Sequence, residues 1–319
     1  MITVAVTGPT GDIGRALLRR LDADPAVERV LGMARRPFDP VSQGLEKTEY
    51  RRGDVLDRGA VAALAREVDV LVHLAFIIVG GRQETRSINL EGSRNVFEAA
   101  RSATRLVYTS SVAAYGFHAD NPQPLTEDVP TRGTDAHYYS AQKAELEETL
   151  RDALEGSGAE TYVFRPCIVA GGDALALVEA FPRLLRKLPF GRPVLPDPGT
   201  PFQLVHTEDV ASALAAAVRG DGSPGVYNLA GDGTIQAGDL ARAFGWLAVP
   251  MPRLGVDLAA EAAGRLPFMP AQASWINAMR VPVVMDTTRA RTELGWAPEH
   301  DTRETLADTV AHARERGLL

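Results

Sequence analysis

An α/β fold built on a doubly wound parallel sheet, with a smaller C-terminal lobe, is the class this sequence predicts, and three observations carry it. The run Thr3-Val4-Ala5-Val6-Thr7 has the length and the apolar, β-branched character of a strand buried on both faces. It passes directly into Gly8-Pro9-Thr10-Gly11-Asp12-Ile13-Gly14 and then a helical stretch from Arg15 to Asp22, giving strand, glycine turn and helix. Apolar strand-length runs then alternate with helical patterns as far as Pro166, the arrangement that builds a parallel sheet with helices on both faces. Beyond Pro166 the regularity gives way to interleaved short elements. The expected division is a core of residues 1–166 continued by 202–230, and a substrate-binding lobe assembled from 167–201 and 231–319.

Composition narrows the function classes. Of 319 residues, 45% are hydrophobic and 24% charged, near the averages of globular proteins. No run of about 18 apolar residues is present to span a membrane, and a strand beginning within a few residues of Met1 leaves no room for a signal peptide. A net charge of −7 offers no basic stripe to displace counterions from a nucleic acid. The single cysteine, Cys167, rules out an intrachain disulfide and suits the reducing cytoplasm. The expected partner is a small molecule, with a homodimer compatible.

Glycines at 8, 11 and 14 allow a tight turn, close approach to a pyrophosphate and packing of helix on strand, while the helix start presents N–H groups to an anion. The spacing is GxxGxxG rather than the usual GxGxxG, so its weight comes from its place between first strand and first helix. The fold is thus Rossmann-like, with Gly8, Gly11, Asp12, Ile13 and Gly14 as cofactor-binding candidates. A second strand, Arg29 to Ala34, ends in Ala34-Arg35-Arg36 where an acidic residue often grips the ribose 2′-OH. No carboxylate stands there, and guanidinium groups pair with phosphate oxygens in bidentate fashion. Arg35 and Arg36 therefore favour NADP(H), with NAD(H) compatible, because arginine is also this chain's ordinary surface cation.

A third strand near Glu49 to Arg52 places Asp54 and Val55 beside the adenine, and a fourth, Asp69 to Ala75, delivers Leu74, Ala75 and Phe76 to the cofactor edge. His73 suits a core position as well as a functional one. Asn89 opens a helix to about Arg101, and a strand from Arg105 to Thr109 ends in Ser110-Ser111, at the carboxyl end that faces the crevice of such sheets. Phe117 to His137 reads as a long loop, of the kind that usually carries function. Further on, the pattern predicts a strand at 160–165, a helix at 181–188, a loop at 189–201, a strand at 202–206, a helix from a cap at 207–209 to Arg219, and a strand at 225–230. Amphipathic runs follow at 237–244, 257–265, 287–294 and 303–316.

The candidate chemistry lies in Tyr139-Ser140-Ala141-Gln142-Lys143. If Ser140 to about Glu155 is helical, Tyr139 and Lys143 sit one turn apart on one face. A free tyrosine titrates near about 10, and a neighbouring ammonium lowers that value by stabilising the phenolate. Lysine is scarce here, with only Lys47, Lys143 and Lys187, so with seven tyrosines this spacing arises by chance about 0.07 times in 319 residues.

These residues sit within a longer series: TGPTGDIG at 7–14, GDV at 53–55, HLA at 73–75, NLEGSRNV at 89–96 and YTSSVAAYG at 108–116. PLTED at 124–128, YSAQK at 139–143, RP at 165–166, VHTEDVASAL at 205–214 and DTTRARTELGW at 286–296 complete it. In order and spacing the chain resembles an extended short-chain dehydrogenase/reductase of the epimerase/dehydratase superfamily, over nearly its whole length. The resemblance implies Tyr139 as general acid/base, Lys143 as a ribose ligand that tunes it, and Ser111, four residues before Tyr115-Gly116, as the group holding the reacting oxygen. It also places Ala75, Phe76, Asn89, Pro166 and Cys167 along the cofactor.

Two departures bear on the substrate. Where nucleotide-sugar members of that superfamily carry asparagine three residues after the arginine matching Arg165, this chain has Ile168; where they carry arginine four before the histidine matching His206, it has Phe202. A diphosphate or sugar would face groups unable to satisfy it, which is costly. Phe76-Ile77-Ile78-Val79 and Phe117 either extend an apolar wall or pack into the core. The expectation is an NADP(H)-dependent oxidoreductase acting on a carbonyl or secondary alcohol of an apolar small molecule, with Ser111, Phe117, Ile168 and Phe202 toward the substrate and no metal. A nucleotide-sugar epimerase, dehydratase or reductase is the alternative within enzymes, and a non-catalytic NADP-binding sensor the one outside them.

Overall fold

The computed structural model describes residues 1–78, 85–135, 137–172, 174, 194–251 and 281–319. The sequence-predicted helix at 181–188 and amphipathic run at 257–265, together with Val79, lie outside them.

Strands β1 (Ile2–Thr7), β2 (Val27–Ala34), β3 (Thr48–Arg52), β4 (Val70–His73), β5 (Arg105–Thr109) and β6 (Glu160–Pro166) pair in parallel. Three strands come next in the chain, β7 (Ile168–Ala170), β8 (Val194–Asp197) and β9 (Leu204–His206), before β10 (Gly225–Leu229) returns to the large sheet beside β6. The order across the sheet is β3-β2-β1-β4-β5-β6-β10. Successive strands run outward from β1 to one side and then, from β4, to the other. The reversal leaves a crevice at the carboxyl ends of β1 and β4, where open α/β sheets bind their ligands.

Alternation sorts the strands onto two cores, as a sheet buried on both faces requires. Val4, Val6, Val70, Val72 and Val107 join helices α1 (Asp12–Ala23) and, from the later chain, Thr207–Arg219 on one face. Ala5, Leu31, Leu71, Leu106 and Val163 meet α2 (Arg58–Ala65), α3 (Ser93–Ala99) and α4 (Tyr138–Leu154) on the other. In chain order Thr207–Arg219 is α5, followed by α6 (Ala237–Ala243), α7 (Thr288–Glu293) and α8 (Thr302–Glu315). A third cluster gathers Ala170, Leu195, Leu204, Ile235, Leu240, Trp246, Leu306 and Val310 from discontinuous stretches.

Four local readings are corrected. Residues 194–197, inside the expected 189–201 loop, form β8, which pairs in parallel with β11 (Leu247–Pro250). Pro196 and Pro250 are tolerated because, among the described residues, each strand of this sheet pairs on one side only. β4 stops at His73 rather than Ala75, and the segment from Asn89 is not a uniform helix: Ser87–Gly92 is a wider π-type turn that runs into α3. The cap of α5 is His206, whose ring accepts from the Glu208 amide at 3.2 Å, while the Thr207 hydroxyl donates to the Ala170 and Gly171 carbonyls.

Candidate active site

The glycine turn is shaped by contacts that exclude side chains. Gly8 has φ +79°, and a Cβ there would lie 2.7 Å from the Ala75 amide nitrogen, so the turn is pressed against the end of β4. At Gly14 a Cβ would come 2.5 Å from the Gly8 carbonyl oxygen, fixing the close seat of α1. Gly11 differs, because its nearest protein atom would be the Gly8 oxygen at 3.6 Å. Among the described residues no other atom outside its chain neighbours lies within 4 Å of that position, and no side chain caps the first turn of α1. The residues thus fit a pyrophosphate carried over that turn. The Asp12 carboxylate in the same turn is neutralised by Arg15 at 2.9 Å.

At the end of β2, Arg35 and Arg36 are exposed and neither pairs with a carboxylate among the described residues. Arg36 reaches the Thr10 carbonyl at 3.4 Å, so its guanidinium stands beside the glycine turn. The Tyr50 hydroxyl fixes the strand end by donating to the Ala34 carbonyl at 2.6 Å and to that of Arg36. Asp54 turns its carboxylate to the Leu56 amide at 3.0 Å. Val55 is buried against Gly92, where a Cβ would come 2.5 Å from the valine methyl. Leu74 continues β4 through its amide to the Thr7 carbonyl, 3.0 Å away. His73 proves to be a core group. It joins Thr7 at 2.7 Å and Ser93 at 2.8 Å, stacks on Tyr108, and is pushed down to about 3 chiefly by burial and secondarily by the charge of Lys143.

Helix α4 begins at Tyr138, not Ser140, because His137 caps it: its Nδ1 accepts from the Ser140 amide at 3.3 Å. This start holds Tyr139 in the first turn, where it is hydrogen-bonded to Ser111. Ser111, at the end of β5, also accepts from the Ala113 amide at 3.2 Å. Ser110 is turned away and donates to Glu147 at 2.5 Å, so of the two serines the one facing Tyr139 is Ser111.

The expectation that Lys143 lowers the Tyr139 pKa is corrected. Burial pushes the Tyr139 phenol up to about 12, with the Ser111 hydrogen bond opposing. Lys143 extends inward from α4 instead, and its ammonium donates to the Thr109 carbonyl at 2.9 Å and the Tyr108 hydroxyl at 3.4 Å. Phe76 covers it, with the ring centre 4.0 Å from Nζ, and the same ring meets Tyr139 edge to face at 5.4 Å. The two members of the pair are therefore linked through an aromatic ring. Asn89, expected along the cofactor, has its polar atoms engaged: its side chain donates to the Ile77 carbonyl and to Gln142, both at 2.9 Å, and accepts from the Ile77 amide at 2.8 Å. It ties the loop bearing Phe76 to α4.

Phe117 packs edge to face on His137 at 5.2 Å, and His137 does the same to Tyr139 at 6.2 Å. Sequence reasoning passed over His137, although its place two residues before Tyr139 and at the head of the predicted helix was the available signal. Ile168 and Phe202, both half-buried, pack together against the third cluster and carry no polar group. Cys167 is buried in the core beyond Pro166 with its thiol pushed far up by burial, an inert thiol rather than a nucleophile. Among the described residues no group of histidine, cysteine and carboxylate side chains could hold a metal ion, and no helix is long and apolar enough to cross a membrane.

A sequence profile of the NAD dependent epimerase/dehydratase family matches residues 4–230. Sterol demethylase protein B of Methylococcus capsulatus is 30% identical, covering 100% of both chains. UDP-glucose 4-epimerase of Azospirillum brasilense is 28% identical over 99% of this chain and 92% of its own. In fold the chain is similar to the crystal structure of UDP-glucuronic acid 4-epimerase from Bacillus cereus in complex with NAD, with a TM-score of 0.74, 16% identity and 99% of each chain covered.

Proposed function

The chain belongs to the NAD dependent epimerase/dehydratase family, and from that premise we propose that it is an NADP(H)-dependent oxidoreductase moving a hydride to or from the carbonyl or carbinol carbon of an apolar small molecule. The observation that carries this reading is the Tyr139 phenol, hydrogen-bonded to Ser111 and walled by Phe76 and His137. Nicotinamide, when bound, supplies the hydride exchange, and every other task falls to the chain.

Ser111 donates to the substrate oxygen as charge develops on it, and Tyr139 exchanges the matching proton at its hydroxyl. Burial keeps that phenol protonated at neutral pH, the state that gives a proton to a carbonyl oxygen when the reaction runs as a reduction. In this reading Lys143 binds the nicotinamide ribose, Gly8, Gly11, Asp12, Ile13 and Gly14 carry the pyrophosphate, and Arg35 and Arg36 take the 2′-phosphate. Asp54 and Val55 flank the adenine, with Leu74, Ala75, Phe76, Asn89, Pro166 and Cys167 along the cofactor's edge. Residues 1–166 and 202–230 serve the cofactor, while 167–201 and 231–319 contribute the substrate lobe. Phe117, Ile168 and Phe202 offer a substrate only apolar contact. The sterol in the name of the Methylococcus capsulatus relative supports that class.

A nucleotide-sugar substrate is the second reading, favoured by the similarity to UDP-glucose 4-epimerase over nearly the whole chain. The two are separated by binding. Burying a diphosphate against Ile168 and Phe202 leaves it without partners, at a cost of about 1–3 kcal/mol for each unsatisfied group. Calorimetry should therefore find UDP-sugars binding no better than millimolar, while sterol-like and long-chain ketones support NADPH oxidation. Micromolar binding of a UDP-sugar would decide for the second reading.

A further inference from the structure

Lys143 is almost fully buried, yet a proton on its ammonium needs a counter-charge, and Tyr139 does not supply one. The charged and titratable groups facing it are few. His73 comes from β4, neutral through burial, and Tyr108 from β5, its phenol held well up by burial. From α4 itself come Tyr139, half-buried, and Glu147, one turn beyond Lys143 on the same face. Behind Glu147 stands Arg165 of β6.

Glu147 is a built feature. Its carboxylate takes Arg165 Nε at 3.0 Å and Nη2 at 2.6 Å in a bidentate pair, and the Ser110 hydroxyl at 2.5 Å. The Arg165 guanidinium is in turn laid over the Tyr115 ring at 4.5 Å, and the Tyr115 hydroxyl is held by Asn228 at 2.7 Å. Both side chains of the ion pair are only 6% exposed. A buried pair of this kind is weak evidence for stability alone, since well-packed apolar residues often serve as well. The pair also stands one turn along α4 from Lys143, where its carboxylate can act on that ammonium.

We propose that Glu147 is a positioning residue acting through Lys143: its carboxylate, fixed by Arg165 and Ser110, is the buried counter-charge that keeps the ammonium protonated and directed to the Thr109 carbonyl, ready for the cofactor ribose. The proposal rests on Lys143 as the ribose ligand. Burial drives Lys143 down and Glu147 pulls it part of the way back, which leaves it at about 7.

The scarcity of lysine makes the test direct. With lysine labelled at the ε-carbon and ζ-nitrogen, the three signals are assigned by Lys47→Arg and Lys187→Arg, and Lys143 is titrated by magnetic resonance in the full chain. In the wild type it should titrate near 7. Glu147→Gln should lower that midpoint by about one unit or more, and NADPH affinity above the new midpoint should fall in parallel. Arg165→Gln removes the competing cation and leaves the carboxylate, so the midpoint should rise. A merely structural pair would disturb both variants in the same direction, and a midpoint unmoved by Glu147→Gln would overturn the proposal. If neither variant folds, the wild type decides: titration below about 5 would show a buried ammonium without a working counter-charge and would overturn it. These readouts need no turnover, so they stand apart from the assignment of Tyr139. Normal NADPH affinity in Lys143→Ala would instead refute the ribose contact.

Discussion

Replacing Tyr139 by phenylalanine keeps the ring that Phe76 and His137 pack against and deletes the hydroxyl bonded to Ser111. Turnover should fall by about two to four orders of magnitude, the usual contribution of a placed general acid/base, with NADPH affinity little changed. Tyr138→Phe is the control, since that hydroxyl donates to the Ile78 carbonyl rather than to Ser111. Steady-state rates of the two purified variants settle the register, and a crippled Tyr138→Phe beside a near-normal Tyr139→Phe would refute it. At this scale the identities of Tyr139, Lys143 and Ser111 as candidates were legible, because spacing on a helix and position at a strand end are local properties. The partners of Lys143 were not. Which way a four-carbon stem points depends on Phe76, in the loop after β4, and on Thr109, at the end of β5, both far away in sequence.

At the scale of elements, the end of β2 carries the cofactor preference. Arg35 and Arg36 are exposed, without carboxylate partners among the described residues, and Arg36 lies beside the glycine turn. A 2′-phosphate brought there gains charge-assisted hydrogen bonds that NADH lacks. Wild-type kcat/KM should therefore favour NADPH, and Arg35→Asp should reduce or reverse the preference; equal values for both cofactors in the wild type would leave the arginines as solvated surface. The strand, glycine turn and helix that present this site could be read from the sequence because each step is encoded within a few residues, as are the strands β5 and β6 and helix α5. Strands β8 and β11 could not. Their pairing joins residues 194–197 to 247–250, and the prolines of 189–201 read as loop until β8 is seen beside β11. The π-type turn at Ser87–Gly92 likewise follows from packing, with Asn89 turned to clamp Ile77 and Gln142.

For the whole molecule, the buried histidines set how folding responds to acid. His73, between β1 and α3, is pushed down to about 3 and His137, at the head of α4, to about 4, in each case chiefly by burial. In the unfolded chain both titrate near about 6.5. Between those limits the unfolded state binds protons that the native state refuses, so their contribution to stability is fully present above pH 6.5 and is lost as pH falls toward 4. The slope is about 1.4 kcal/mol per pH unit for each histidine. Lys143 acts in the same sense at higher pH, because its midpoint is lowered from 10.5 to about 7 and the unfolded state again holds the extra proton between those values. Stability should thus climb from pH 4 through pH 7 and continue upward, rather than peak in mild acid. Urea unfolding at half-unit steps from pH 4.5 to 8 measures the curve. His73→Gln removes one of the two titrating groups while retaining polar atoms for Thr7 and Ser93, so its slope between pH 4.5 and 6.5 should be shallower than the wild type's by about 1.4 kcal/mol per unit, whatever its absolute stability. Parallel curves for the two proteins would show that His73 takes up its proton in the folded chain, and the buried histidine bridge between β1 and α3 would have to be redrawn as a charged one.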